Sequence, residues 1–460
     1  MRILLVTLAL VVGCGDDDAG PDGDADADSD ADSDADGDAG WTIEELDGDD
    51  AAQQTSLAVA TSGEIGIGYF PLRQREVGPC LADGAGQALG ADIRWVQGTP
   101  GSMSATEVVG TPSFFAGPAG MTVRWSGAVP YVATLGGDLD PAWENYCGSS
   151  DMVLYSKAGG GWQMETVASS SGDAPPTDGC DIDGASTFGW VVGNWGALAV
   201  DGGGQMAMAW RDLHSGGMLQ RDDAARADLE LATGGPGAWA YGMIDCGLGA
   251  GDYTSLAFEP GGGLVAAWYN PMSTGVGDQA REGVWIGRRS DPEWDRFRLF
   301  RGEAGPGIGM AVAPDGTIGV SWYQEQSLRY AQIGPGQSLD SAHNVLASDV
   351  SSDAGRYSSL AFLADGRPVI AHYRCKRYDE DDASCEAAYD APVLSYPVAG
   401  IDQPWRSEVI DSSGDGNCGA DTQVGVLHDG RVVVAYTCVA YDADSGEFVG
   451  ALKLATRGAP

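Results

Sequence analysis

The chain of 460 residues carries 67 acidic against 25 basic side chains, a net charge of −42, and 70 glycines. So acidic a molecule lacks the basic footprint that nucleic acid or an anionic membrane surface requires, which excludes both as charge-driven partners. No apolar stretch beyond the first dozen residues has membrane-spanning length, so the body is expected to be soluble and monomeric.

Residues 1–14, MRILLVTLALVVGC, place Arg2 before an apolar stretch over 3–12 and end on Gly13 and Cys14. That stretch is too short to span a bilayer and suits the core of a signal peptide. The ending Leu10-Val11-Val12-Gly13-Cys14 resembles the bacterial lipobox. The resemblance implies a signal peptide over 1–13, acylation of Cys14 with palmitate-type chains, and a membrane anchor. Gly15 rather than Asp follows the cysteine, which points to the outer membrane or cell surface of a bacterial envelope. Residues 15–40 hold twelve aspartates and no cation, so the segment 14–40 reads as a lipidated, disordered tether. Asp32, Asp34, Asp36 and Gly37 open like an EF-hand loop, but Ile43 stands where the bidentate Glu would be, and the tether reading wins.

Residues 41–460 form the propeller candidate. WTIEELDGD (41–49) reads as a strand similar to WQMETVASS and WRSEVIDSS further on. A unit then recurs seven times, with an apolar residue leading a small-residue strand and a glycine six positions later. The pairs are Leu57 and Gly63, Met121 and Gly127, Leu198 and Gly204, Leu256 and Gly262, Met310 and Gly316, Leu360 and Gly366, Val424 and Gly430. Five residues past the glycine comes a small residue, then Tyr69, Trp210, Trp268, Trp322, His372 or Tyr436; the second copy keeps the spacing but not this ending. Each copy reads as a hairpin, and two more strand-like runs follow most copies. The expected fold is all-β: a seven-bladed β-propeller of four-stranded blades, with the N-terminal strand completing the last blade and closing the ring.

Setting Cys14 aside, eight cysteines remain: Cys80, Cys147, Cys180, Cys246, Cys375, Cys385, Cys418 and Cys438. An even number in an exported chain reads as disulfides. Blade register puts all eight on one face, with 375–385 and 418–438 the firmest pairs and 180–246 and 80–147 proposed beside them. The same face carries the long insertions, which is where a rigid scaffold builds binding sites.

The repeats resemble sialidases at the level of the fold. The S-x-D-x-G-x-x-W boxes of that family are missing here and no catalytic residue carries over. The chain is also similar to bacterial lipoproteins with an Asp/Ala/Ser tether and S-L-A repeats, here TSLAV, TSLAF and SSLAF. Four histidines stand apart with no zinc spacing, and His372 occupies a packing position. The acidic loops are calcium candidates through Asp379, Asp381, Asp442, Asp444 and Glu447, with Asp411, Asp415 and Asp421 bordering Cys418. Loop aromatics Trp143, Tyr146, Trp190, Trp195 and Tyr378 are candidates for stacking on sugar rings or anchoring a partner. The reading is a surface lipoprotein whose propeller binds an envelope protein or polysaccharide without catalysis. The alternative is a glycan-processing enzyme working through loop carboxylates.

Overall fold

The computed structural model describes residues 40–460 apart from 49, 80–86, 115–119, 138–149, 171–188, 190, 214–226, 247–248, 272–280, 292, 349–352, 376–377, 380–383, 386–389, 413–416 and 443–446. Most described strands fall into seven antiparallel meanders of four strands, the second and third joined in one sheet and the first carrying the short Ser102–Met103 as well; two small sheets stand beside them. The innermost strands of the meanders are Ala51–Val59, Met121–Ser126, Val191–Val200, Asp252–Phe258, Ile308–Val312, Ala354–Phe362 and Asn417–Val426. Each touches the next in chain order, and the seventh returns to the first, so the sheets stand around a central axis. A single parallel bridge from Ser150 to Val191 links the second and third meanders. In the last blade Thr42–Asp47 pairs with Glu447–Arg457, which joins the two ends of the chain and removes a sheet edge as expected. A core shared by Leu57, Ile65 and Ile67 of blade 1 with Val433 and Leu452 of blade 7 seals the closure. No helix among the described residues is long and apolar enough to cross a membrane.

The glycine echo is one turn built six times. In blades 1 and 3 to 7 the glycine N–H donates to the carbonyl three residues earlier, while that residue's own N–H donates to the carbonyl four residues later. The glycine φ is +86°, +86°, +83°, +91°, +85° and +86° in these six, the left-handed region a side chain disfavours. Blade 2 departs from the expected spacing. Its hairpin turns on Gly127 and Ala128 alone, with Ser126 opposite Val129. The shorter turn shifts the register, so Val123 rather than Met121 corresponds to Leu57, and Thr134 takes the aromatic place.

Two kinds of contact hold the blades together. Near the axis, inner strands have no further sheet neighbour, and hydroxyls serve their backbone. Ser56 Oγ accepts from Val123 N at 2.9 Å, Ser359 Oγ accepts from Val424 N at 3.1 Å, and Thr122 Oγ1 donates to Gly196 O at 3.0 Å. The inner residues are small because the ring is crowded: a Cβ on Gly425 would lie 2.7 Å from Leu57. At the periphery, an aspartate ending one blade's outer strand pairs with the next blade. Asp47 accepts from Tyr69 at 2.7 Å and Arg94 at 2.9 Å. Asp411 accepts from Tyr436 at 2.8 Å and Lys453 at 3.0 Å, and Asp245 holds Arg281 at 2.7 Å. The recurring Leu-Asp or Ile-Asp at these strand ends is an interblade latch.

Candidate functional site

Six of the seven inner strands share a feature three residues before their leading apolar residue, and blade 2 joins them once Val123 is taken as its lead. The positions are Gln54, Gly120, Trp195, Tyr253, Gly307, Tyr357 and Asp421, and all have positive φ. In five blades the pairing register slips across this residue, which makes it a β-bulge. A bulge bends the strand and re-aims its side chain, and non-glycine residues held in the left-handed region concentrate at functional sites. Seven such positions at one level of seven axial strands form a ring at the mouth of the axis.

Six of the seven neighbouring pairs in the ring are in contact. Asp421 Oδ2 accepts from Gln54 N at 2.8 Å, and Gln54 Oε1 accepts from Gly120 N at 2.9 Å. A Cβ on Gly120 would come within 2.8 Å of Trp195 Cα, so only glycine fits there. The rings of Trp195 and Tyr253 lie 4.4 Å apart, tilted by 53°. Gly307 leaves blade 5 without a side chain, and a Cβ there would meet Tyr357 Cα at 2.7 Å. Thr422, beside Asp421, donates to Tyr357 O at 2.7 Å and closes the circle. One arc is polar, with Asp421 and Gln54; the other is aromatic, with Trp195, Tyr253 and Tyr357. All five are half-buried and open to solvent.

The electrostatics follow the geometry. Burial pushes the Asp421 carboxyl up to about 6, against the Gln54 N–H that favours its ionised form. Burial also pushes the Tyr357 hydroxyl up to about 12, and the Asp421 charge adds to this. Tyr253 is raised for the same first reason, with charge on Asp252, Tyr357, Tyr269 and Asp421 adding to it. Both tyrosines are therefore neutral donors at ordinary pH. Behind them two acids are matched by cations. Asp252 pairs with Arg211, and Asp353 accepts from Tyr323 at 2.6 Å and lies 3.3 Å from Arg356. Asp390, which burial raises to about 7, is sealed behind Tyr373 at 8 % exposure.

Of the sequence candidates, Trp195 and Asp421 belong to this ring, and Asp415 lies outside the described residues. Trp195 stands in an inner strand and not in a loop, a correction that follows from its bulge. Trp143, Tyr146 and Trp190 lie outside the described residues. The backbone of Tyr378 and Asp379 forms a short hairpin with Ser384 and Cys385. Asp442 and Glu447 face each other at the end of the blade 7 hairpin, a strand pair where a continuous acidic loop was expected. Asp381 and Asp444 lie outside the described residues, as do Cys14, Cys80, Cys147 and Cys180. Asp411 is engaged by the latch and is not a free oxygen ligand. It forms, with Cys418 and Cys438, the one group of His, Cys, Asp and Glu close enough for a metal among the described residues, and those sulfurs are spent in a disulfide. The expected bridges 375–385 and 418–438 are formed, with Cα–Cα distances of 5.7 and 4.0 Å. Cys246 is disulfide-bonded as well. His372 is fully buried against Ser395 Oγ at 2.8 Å, and burial lowers it to about 4, as befits a core residue.

The sequence reading missed Gln54, Tyr253 and Tyr357. Their common offset from the repeat's leading residue was the available signal.

No family model and no curated protein matches the chain. Among solved structures, a protein of unknown function from Dyadobacter fermentans is 14% identical with a TM-score of 0.47, over 91% of this chain and 98% of that one. A polysaccharide lyase is 8% identical with a TM-score of 0.49, over 87% and 89%. A Trypanosoma rangeli sialidase is 11% identical with a TM-score of 0.44, over 90% and 59%. These are likenesses of fold alone.

Proposed function

We propose that this protein is a lipid-anchored propeller at the bacterial cell surface whose axial mouth binds a polysaccharide without cleaving it. The observation that carries this is the divided ring: three aromatic side chains on one arc, a carboxylate and an amide on the other. A pyranose offers an apolar C–H face and a rim of hydroxyls. Aromatic rings stack on the first, and a carboxylate and neutral tyrosine hydroxyls hydrogen-bond the second. Rigid inner strands pre-organise the ring, which lowers the ordering cost of binding.

Binding is favoured over hydrolysis by the count of uncommitted acids. Glycosidic cleavage ordinarily uses two carboxyl groups flanking the bond. Asp252 and Asp353 are paired with arginines and Asp390 is sealed behind Tyr373, so Asp421 is the carboxylate the ring itself presents. Capture of the oxidised protein on a broad glycan array tests the reading, with calcium and then with chelator. Saturable capture that survives the chelator is expected, because the mouth offers a single carboxylate. Silence across the array, or release of cleaved products, would overturn it.

A further inference from the structure

Asp421 differs from the other carboxylates around it. Its oxygen accepts the Gln54 N–H, and no cation of the described residues pairs with it. Opposite stand the aromatic rings of the same mouth. Tyr253 and Tyr357 flank Gly307 in the ring, and both hydroxyls feel the Asp421 charge. Trp195 closes the third side against Tyr253 at 4.4 Å. A partly desolvated carboxylate facing a box of π-rings is a receptor for a positive charge. Ring quadrupoles attract an ammonium group, and the carboxylate supplies a charge-assisted acceptor.

We infer that the mouth selects a cationic amino sugar, a residue bearing a free ammonium group, with Asp421 as its counter-ion and Trp195, Tyr253 and Tyr357 as its aromatic walls. This rests on the polysaccharide reading and narrows it. A neutral sugar would leave the Asp421 charge unmatched in its half-buried place. An acidic sugar would meet repulsion there and from a chain with net charge −42.

The test is calorimetric titration of the full-length oxidised protein, at neutral pH and moderate salt, with a glucosamine tetramer and its N-acetylated counterpart. The free-amine tetramer is expected to bind roughly tenfold or more tightly, the size of a charge-assisted hydrogen bond. Asp421→Asn keeps the acceptor for Gln54 N and suits a positive φ; it is expected to bring the ratio close to one. On the unaltered protein, tetramethylammonium should displace the amine tetramer where the same concentration of sodium does not. Equal or tighter binding of the acetylated tetramer would overturn the inference and leave the polysaccharide reading standing. A preference that survives Asp421→Asn, or resists tetramethylammonium, would assign it to the general negative field and overturn the inference too. Binding of neither sugar would overturn the inference, and silence across the glycan array would remove the polysaccharide reading as well.

Discussion

Asp411 and Asp421 stand ten residues apart, on either side of Cys418, and their surroundings are opposite. Asp411 ends an outer strand, is 6 % exposed, and is held by Tyr436 and Lys453 of the next blade. Asp421 sits on an inner-strand bulge at the axis, with one backbone N–H and aromatic neighbours. A buried carboxylate whose charge is matched within the fold works for the fold. One left unmatched beside open aromatic surface is available to a ligand. The same contrast separates Asp47 and Asp245, both latched, from the mouth.

Mutation sharpens the comparison most at the latch. Asp411→Ala strands the ammonium of Lys453, which is 15% exposed, and is expected to cost about 3–5 kcal/mol in denaturant unfolding. Asp421→Asn is expected to cost nothing at neutral pH, because its acceptor survives and the ionised form that burial disfavours is gone. Equal losses would erase the distinction. Next in size, replacing Cys418 and Cys438 by alanine opens a crosslink spanning 20 residues and should cost about 2–4 kcal/mol, read from the shift of the unfolding midpoint.

Two glycines with nearly the same backbone angle divide along the same line. At Gly366, with φ +85°, an added Cβ would have nothing within 4 Å, whereas at Gly307, with φ +88°, it would press on Tyr357 Cα at 2.7 Å. Gly366→Ala should cost about 1 kcal/mol. Gly307→Ala should cost about 1–3 kcal/mol and also weaken glycan binding, because it displaces a wall of the mouth.

The remaining contrast is the response to pH. A carboxyl with a raised folded pKa weakens the fold once ionised, so the Asp421 contribution is favourable at low pH and lost as pH rises from about 4 to about 6. The groups facing it are the hydroxyls of Tyr253 and Tyr357, neutral throughout that window. Asp421→Asn should therefore match the parent in stability below pH about 4 and gain on it above pH about 6. A variant that loses ground as pH rises would reverse the sign and contradict the assignment.

The ring of blades was legible because one turn needs glycine at one place, and repetition makes that requirement visible. The strand at 41–49 could be placed as an outer strand because it resembles WQMETVASS and WRSEVIDSS, and its Leu46-Asp47 ending proved to be the latch it shares with Ile410-Asp411. Blade 2 was misread by two residues since a two-residue turn happened to preserve the interval between Met121 and Gly127. The mouth was hidden for a different reason. Bulge positions have no fixed residue type, and Gln, Trp, Tyr, Asp and Gly all occupy one level of the ring here. Searching the long loops for aromatics therefore found Trp195 by composition and passed over Tyr253 and Tyr357 inside the strand repeats.

The measurement closest to the central claim is glycan capture by a Trp195→Ala, Tyr253→Ala double variant beside the parent protein, with melting temperatures recorded for both. Capture should fall to background while the fold still melts cooperatively. Capture undiminished in the folded variant would place recognition elsewhere on the molecule and contradict the axial mouth as the binding site.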